Sequence, residues 1–276
     1  MGFRINTNVQ SLRAQSSLNQ IRKTQDKALA EMSSGSRINR AGDDAAGLAI
    51  SEKLKAQISS SHQAKRNASD GVSVVQTAEG GLNEISSILI RLRELSIQSA
   101  NDTVGNAERK FSDMEFQNLR EELDRIANTT EFNGVKLLNG EGEKMNFQIG
   151  LHGDANSRLT FESGENSVTA EDLKVESMNV LTKEDSQSNL AGIDGAIEKI
   201  NSTRANLGAL QNRMQSTMRN IDVQTENLSA ANSRVRDTDI AKSSSELVRA
   251  NILAQANTAV LSQANNTPQT ALRLIG

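Results

Sequence analysis

The chain has 276 residues with 31 basic and 34 acidic side chains, a near-balance that excludes the strong positive field favouring nucleic-acid binding. Apolar residues make up 36% of the chain and aromatic residues 2%, so thin helical rods with narrow seams are favoured over a thick spherical core. Cysteine is absent, which excludes disulfides and thiolate chemistry, and no apolar run approaches the roughly 18 residues of a membrane-spanning helix.

Three amphipathic helices are predicted in the first half of the chain. Apolar residues recur at intervals of mostly three and four over residues 5–32, and Gly35 follows as a plausible helix end. The same spacing predicts a long helix over residues 44–101, weakened at residues 80–81 by two glycines that allow a bend. A third helix is predicted over residues 106–128.

Composition then shifts, and residues 134–164 contain six glycines. Apolar and polar residues alternate over residues 145–151, and the pattern returns at residues 159–161 after a polar turn. A period of two is typical of a half-buried strand. One small β-hairpin is therefore predicted at about residues 140–165.

The strongest periodicity runs along residues 190–235, where apolar residues stand at every seventh position. Such a repeat keeps one seam facing a partner helix and implies left-handed supercoiling. At about 1.5 Å per residue this helix would exceed about 60 Å, which predicts an elongated molecule. The seam is predicted to pack within the chain, against the two preceding helices, rather than against a second chain. Its positions are Ile193, Ile200, Leu207, Met214, Ile221, Leu228 and Val235.

A final helix is predicted from Ile240 to a point before Pro268, since proline rarely continues a helix. The two ends of the chain are alike, because both are helical, weakly apolar and rich in Ala, Gln, Asn and Ser. Each end alone offers too little buried surface to outweigh the conformational entropy of ordering it. We therefore expect both ends to be loose in a monomer and ordered against partners, as in a polymerising subunit.

Asp43 and Asp44 stand in a glycine-containing gap and could suggest a metal site. The stretch lacks the converging oxygen ligands of a calcium-binding loop. The favoured prediction is that one aspartate caps the following helix and pairs with Arg37 or Arg40. Whether that pairing lies within one subunit or between neighbours stays open.

Asp237 and Asp239 form a second acidic pair with no histidine nearby in sequence, and Asp239 is well placed to begin the last helix. His62 and His152 each stand alone and match no metal-ligand spacing. The chain also lacks a nucleophile elbow of the Gly-x-Ser-x-Gly type. No catalytic residue, metal ion or cofactor is therefore predicted.

Five segments carry a family resemblance, at residues 4–15, 33–51, 91–101, 132–138 and 261–276. They span both terminal thirds of the chain in the family's order and register, and together they closely resemble bacterial flagellin. The resemblance implies a structural subunit of the bacterial flagellar filament that polymerises into a helical tubular propeller for motility and catalyses nothing. It also implies an extracellular location reached through the flagellum's own export channel, without a cleaved signal peptide. The segments are RINTNVQSLRAQ (4–15), SSGSRINRAGDDAAGLAIS (33–51), RLRELSIQSAN (91–101), FNGVKLL (132–138) and LSQANNTPQTALRLIG (261–276).

The resemblance implies two layers linked by a joint. Residues 1–43 with 236–276 would form a coiled-coil domain lining the channel, and residues 44–235 a helical bundle with the hairpin, without a separate outer variable domain. The implied joint residues are Arg37, Arg40, Asp43, Asp44, Asp237 and Asp239. The residues expected to be buried only on assembly are Ile5, Val9, Leu12, Leu253, Val260, Leu261, Leu272 and Leu274.

The resemblance also implies partners: other copies of the chain, the flagellar export apparatus, an export chaperone at the C-terminal helix, and the filament cap and hook-junction proteins. Arg91, Leu95 and Glu115 match the Arg, Leu and Glu through which the host cell-surface receptor recognises some flagellins. The alternative is that these residues face a neighbouring subunit. Two other interpretations stay open, a hook–filament junction protein and an adhesin on a flagellin scaffold, and the adhesin would need a larger insert between residues 140 and 190.

Overall fold

The computed structural model describes the backbone of residues 7–275 and the side chains of residues 7–267. Within that part the chain is mainly α-helical with two small antiparallel hairpins, which confirms the predicted fold class. The helices are α1 (Val9–Ser34), α2 (Ala45–Ser99), α3 (Asn106–Thr129), α4 (Lys183–Arg236) and α5 (Ile240–Ile275). The strands are β1 (Glu131–Phe132), β2 (Val135–Lys136), β3 (Met145–Gln148) and β4 (Arg158–Phe161).

The chain divides into two compact units. The central unit comprises Ser59–Thr225, and the terminal unit comprises the residues up to Ile58 together with those from Glu226 onward. Helices α2 and α4 each contribute to both units. The sequence-based division after residues 43 and 235 stays a prediction.

Large apolar side chains from α2, α3 and α4 build the core of the central unit. Ile193, Ile200 and Leu207 of α4 lie in one buried cluster with residues such as Leu89 of α2 and Phe116 of α3. Full burial of each such side chain is worth about 1.5–3 kcal/mol. The seven-residue seam of α4 therefore packs inside the chain, as predicted.

Gly81 lets the first hairpin approach α2 closely, since a Cβ at this position would lie 2.8 Å from Leu138 Cδ1 and 2.8 Å from Thr130 Oγ1. Helix α2 continues through Gly80 and Gly81 without interruption. The hairpin β1–β2 turns at residues 133–134, where Asn and Gly have φ of 50° and 80°. An Asn-Gly pair suits such a two-residue turn, so the sequence carried a signal for this hairpin that the period-two pattern missed.

The second hairpin pairs Met145 with Phe161 and, at its other end, Gln148 with Arg158, which confirms the hairpin predicted at about residues 140–165. Ile149 beyond β3 and Leu159 of β4 join Ala68 and Met214 in a second, smaller buried cluster. This cluster attaches the hairpin to α2 and α4 within the central unit.

The segment between β4 and α4 is held on α3 by two aspartates. Asp113 Oδ1 accepts a hydrogen bond from Val180 N–H at 2.9 Å, and Asp124 Oδ1 accepts one from Ala170 N–H at 2.7 Å. These contacts satisfy backbone donors that no strand or helix satisfies. Residues 140–182 therefore hold one hairpin and a connector, without the larger insert that an adhesin would need.

In the terminal unit, α1 and α5 pair along a seam of small residues. The buried seam alanines are Ala14 and Ala28 on α1 and Ala250 and Ala264 on α5, each at most 6% exposed. Small side chains allow two helix backbones to approach closely, but each contributes little apolar area. The pair therefore has a much thinner apolar core than the central unit.

Helix α5 continues through residue 268 to Ile275, so the predicted end before Pro268 is wrong. A proline has no backbone N–H to donate to the carbonyl four residues earlier, which here belongs to Ala264. Asn8 Nδ2 donates to that carbonyl at 2.7 Å. Because α1 supplies the missing donor, the helix continues with its backbone acceptor satisfied.

Among the described helices, none is both long enough and apolar enough to cross a membrane.

Candidate assembly surfaces and connector

Many large apolar residues of α1 and α5 are exposed outside the α1–α5 seam. Of the residues predicted to be buried on assembly, Val9 and Leu253 are 47% exposed and Leu12 and Val260 are 57% exposed, while Leu261 is half-buried. Ile5 and the side chains of Leu272 and Leu274 lie outside the described part of the chain. Four further large apolar residues of α1 and α5 are exposed, and together with the exposed residues above they are called the assembly surface: Leu29, Ile240, Val248 and Ile252.

Part of this surface on α5 forms an open groove with more apolar than polar wall. Its wall carries both aliphatic and hydroxyl side chains and a single charged residue. Such a groove suits the apolar face of another helix better than a small polar ligand. The lining residues are Ala241, Ser244, Ser245, Val248, Arg249, Ile252 and Leu253.

Asp43 and Asp44 cap two successive turns in the connector between α1 and α2. Asp44 Oδ1 accepts from Gly47 N–H at 2.8 Å and so satisfies a free donor at the start of α2. Asp43 Oδ2 accepts from the backbone N–H groups of Arg40 and Asn39, and these bonds lower the pKa of the Asp43 carboxyl. The sequence predicted that one of the two aspartates caps the following helix: Asp44 does so, whereas Asp43 caps the preceding turn.

Arg37 joins the outgoing and returning connectors within one chain. Its Nη2 donates to Val235 O at 2.7 Å and lies 3.7 Å from Asp44 Oδ2. Its backbone N–H donates to Arg236 O at 2.7 Å, next to the antiparallel bridge between Ser36 and Asp237. Within the chain, Arg37 is therefore the arginine whose side chain pairs with an aspartate, Asp44. Arg40 contributes only its backbone N–H, to Asp43.

The returning connector is fixed by contacts on both sides. Arg236 Nη1 donates to Glu52 Oε1 at 2.6 Å, which ties the end of α4 to α2 within the terminal unit. Asp239 Oδ1 accepts from the N–H groups of Ala241 and Lys242 and caps α5. Asp237 is exposed and contributes through its backbone.

Arg91 on α2 is clamped by two carboxylates. Its Nη2 lies 2.8 Å from Glu115 Oε1 on α3, and its Nη1 lies 2.9 Å from Glu94 Oε2. The hydrogen bond to Glu115, followed by that to Glu94, raises the pKa of the Arg91 guanidinium. Leu95 is 2% exposed and belongs to the core, so it offers no accessible surface beside the pair.

Helices α2 and α3, which carry the Arg91 clamp, also carry exposed apolar side chains. The helical periodicity of the sequence did not predict these residues. Phe111 and Met114 on α3 are 72% and 63% exposed, and Ile90 and Ile97 on α2 are 51% and 49% exposed. The sequence prediction did not include them because they do not lie at the three- and four-residue spacing of the core-facing residues. A sequence signal existed, since a Phe on the polar side of an amphipathic helix is unusual.

The histidines and acidic side chains of the described residues do not come together as a metal site. His62 and His152 are exposed, and no cluster of three or more His, Cys, Asp or Glu side chains there could hold a metal ion. The ordered polar groups of the connector are used as caps and cross-links. The arrangement is therefore suited to joining and packing helices.

Comparison with known proteins agrees with the motifs and the fold. Residues 5–143 match the bacterial flagellin N-terminal helical region, and residues 190–275 match the bacterial flagellin C-terminal helical region. A flagellin of Halalkalibacterium halodurans is 44% identical over 271 residues, covering 98% of this chain and 99% of that protein. A flagellin of Bacillus subtilis is 39% identical over 311 residues, covering 99% of this chain and all of that protein.

A crystal structure of Bacillus cereus flagellin is also similar, with a TM-score of 0.51 and 30% identity, covering 60% of this chain and 94% of that one. The two family regions lie at opposite ends of the chain, where α1 and α5 pair in the terminal unit. The chain therefore belongs to the bacterial flagellin family and is a structural subunit of the flagellar filament.

Proposed function

We propose that this flagellin polymerises through the outward apolar surface of α1 and α5, with neighbouring copies covering it. The observation that carries the proposal is the inverted arrangement of the pair, with alanines in the seam and large aliphatic residues outside. Covering the exposed half of one such side chain is worth about 1 kcal/mol, so several per subunit favour assembly. The packed terminal helices of many copies would line the channel of a tubular propeller.

Substitution of this surface tests the proposal. Leu12→Ser and Leu253→Ser should each raise the concentration needed for polymerisation, because a polar side chain gains little from burial. Asp26→Asn, an exposed change on α1, serves as the control. Deleting residues 261–276 should leave a soluble monomer whose central unit stays helical by circular dichroism. Normal filaments from the deletion, seen by electron microscopy, would reject the proposal.

A second contact is proposed on the central unit, where Phe111 and Met114 would pack against a neighbouring copy. A 72% exposed phenylalanine is costly in a monomer and gains area in a polymer. Phe111→Ser should weaken filaments without lowering the unfolding midpoint of the monomer. An unchanged filament dissociation temperature would exclude this contact.

Recognition by the host cell-surface flagellin receptor is proposed to use Arg91 and Glu115, whose side chains are each 46% exposed. Leu95 would act only by holding α2 in place, because it is buried. Arg91→Ala in the monomer should reduce activation of receptor-bearing reporter cells far more than Lys110→Ala on α3. Equal responses to wild type and Arg91→Ala would remove the receptor from the list of partners.

We further propose that the chain leaves the cell through the flagellar export apparatus without a cleaved signal peptide. An export chaperone would cover the groove on α5, and the hook-junction and cap proteins would contact the ends of the filament. The intact mass of the secreted chain tests the first point, since loss of an N-terminal segment would contradict it. Val248→Asp should weaken chaperone capture, and unchanged capture would place the chaperone elsewhere.

The connector residues Arg37, Arg40, Asp43, Asp44, Asp237 and Asp239 are proposed to form the joint between the two layers of the subunit. Two backbone hydrogen bonds between the antiparallel connectors support this role: Arg37 N–H donates to Arg236 O, and Thr238 N–H donates to Gly35 O at 3.0 Å. Arg37→Ala removes one cross-link and should increase amide exchange in the connector. Protection equal to wild type would argue against the joint.

A further inference from the structure

The seam between α1 and α5 does not by itself fix how far one helix is shifted along the other. The apolar side chains buried in it are alanines, with Leu18, Ile21, Leu247 and Leu261 only half-buried, so a slip of one turn costs less in packing than in a core of fully buried large side chains. A seam of large, unlike side chains would resist such a slip. Directional polar contacts therefore have to set the register of this pair.

The first such contact lies near the start of α1. Asn8 Oδ1 accepts from Ser11 N–H at 3.1 Å and caps α1, while Asn8 Nδ2 donates to Ala264 O at 2.7 Å. Interior helix carbonyls normally accept from the residue four positions later. The carbonyl of Ala264 is an exception, because residue 268 is a proline. Asn8 thus donates to a carbonyl that, unlike its neighbours along α5, has no backbone N–H donor four residues later.

The second contact lies at the other end of the pair. Glu31 is 9% exposed, and its Oε2 accepts from Ser243 Oγ at 2.9 Å across the seam. Ser243 Oγ also lies 2.9 Å from Thr238 Oγ1, and Thr238 N–H reaches the connector at Gly35 O. The only cation near Glu31 among the described residues is Lys27, 3.9 Å away. A one-turn slip would leave this carboxylate buried against the seam without its donor, which is costly.

We propose that Asn8 and Glu31 are register pins that fix the alignment of α1 against α5 from opposite ends of the pair. The proposal rests on the proposed assembly surface and goes beyond it, because it assigns a positioning role to residues through their contacts within one chain. A slip of one turn moves one helix about 5 Å past the other. The exposed residues Leu12 of α1 and Leu253 of α5 would then change their relative position, and with it the surface offered to a neighbouring copy.

Distance measurement in the filament tests the pins. The chain has no native cysteine, so Lys23→Cys and Glu246→Cys introduce two spin labels at exposed positions of α1 and α5 outside the groove. Doubly labelled full-length subunits are copolymerised with excess unlabelled wild type, and the inter-label distance is read by pulsed electron paramagnetic resonance. Adding Asn8→Ala and Glu31→Ala should broaden the distribution or shift its peak by up to about one turn.

Two variants serve as controls. Glu31→Gln keeps an acceptor for Ser243 and should retain the wild-type distribution, and Gln25→Ala, which removes an exposed contact to Asn251, should do the same. A wild-type distribution in the Asn8→Ala/Glu31→Ala chain would overturn the proposal. So would failure of Glu31→Gln to enter filaments, because the hydrogen bond would then not be the operative contact.

Pro268→Ala gives an independent reading of the first pin, even where the double variant does not polymerise. Alanine at 268 supplies an N–H to Ala264 O and competes with Asn8. Asn8→Ala should raise the critical concentration for polymerisation by about 2- to 10-fold in the native background, the equivalent of one net hydrogen bond. The rise should be smaller in the Pro268→Ala background, and an equal rise would overturn the role of Asn8. If Leu12→Ser polymerises normally, the assembly surface fails while the label distances still report on the pins.

Discussion

The two units of this flagellin bury different kinds of residue. The central unit packs Leu, Ile and Phe from three helices into one large cluster, so its own core can stabilise it. The terminal unit buries alanines between α1 and α5 and leaves Leu12, Val260 and similar residues outside. The central unit thus resembles a self-sufficient domain, whereas the terminal unit leaves many of its large apolar side chains exposed.

The two units also differ in whether their buried polar groups have hydrogen-bond partners. The buried polar side chains described in the terminal unit, Ser11, Glu31, Ser51 and Ser243, all have hydrogen-bond partners. The three described buried hydroxyls without a partner all lie in the central unit, on Ser61, Ser99 and Thr225. A large apolar core can absorb the cost of an unpaired hydroxyl. The thin seam of the terminal unit depends on its polar contacts for specificity.

The largest effect is expected from truncating the central core. Leu89 is fully buried, and Leu89→Ala should lower the free energy of unfolding by about 2–5 kcal/mol through lost burial and a residual cavity. Urea unfolding followed by circular dichroism measures the change. Ile90→Ala, next to it but on a side chain 51% exposed, should cost far less. If both substitutions lowered the free energy of unfolding equally, Leu89 would not contribute more to the core than the exposed Ile90.

A somewhat smaller effect is expected from widening the terminal seam. Ala28 is 2% exposed, and Ala28→Leu should cost about 1–3 kcal/mol by forcing α1 and α5 apart. Because the pair has little other apolar contact, helical signal should fall while the unfolding midpoint of the central unit stays unchanged. Ala30→Leu on the exposed side of α1 is the matched control. A normal helical signal in Ala28→Leu would show that the seam is not close-packed.

Large apolar residues made the central unit predictable from sequence. Residues such as Ile193, Ile200 and Leu207 recur with the period of a helix and face the core, so pattern and packing agree. The same logic misleads in the terminal unit. There the apolar stripe of α1 divides between exposed residues such as Leu12 and half-buried ones such as Ile21. The residues of α1 that are buried are Ser11, Ala14, Ala28 and Glu31, which no hydrophobic period reveals.

The connector shows where sequence reasoning stops. The capping by Asp44 and Asp239 is local, so residue type and position were enough to predict it. The contact of Arg236 with Glu52 joins residues 184 positions apart, and nothing in the local sequence of either residue identifies its partner. The continuation of α5 past Pro268 is likewise invisible locally, because it depends on Asn8 at the other end of the chain.

Hydroxyl deletion compares the polar groups of the two units directly. Ser51 Oγ donates to Asn232 Oδ1 at 2.8 Å in the terminal unit, and Ser51→Ala should cost about 1 kcal/mol because the bond is lost. Ser61→Ala in the central unit should be neutral or slightly stabilising, since it removes a buried hydroxyl without a partner. Amide exchange along α2 measures both changes. A larger cost for Ser61→Ala would show that its hydroxyl is bonded.

The smallest expected effect is the pH dependence of an exposed ion pair in the central unit. Asp194 Oδ1 lies 2.7 Å from Arg93 Nε, and that hydrogen bond, together with the charge of Arg93, lowers the pKa of the Asp194 carboxyl below its ordinary 3.8. A depressed folded-state pKa stabilises the fold above the unfolded-state pKa, and the contribution is lost as the pH falls through the folded-state value. Arg93–Asp194 should therefore stabilise the central unit at neutral pH only slightly, because both side chains are exposed.

Asp194→Asn separates this contribution from the rest of the acid sensitivity. The wild type should have a slightly higher urea midpoint at neutral pH, and the gap should close as the pH falls through the lowered folded-state pKa of Asp194, below which the carboxyl is protonated in both states. Asp70→Asn, at an exposed position on α2, is the control. High salt should shrink the neutral-pH gap as well, because exposed charges are screened. A gap that stays constant at every pH would assign the effect to packing of the side chain at 194 and not to its charge.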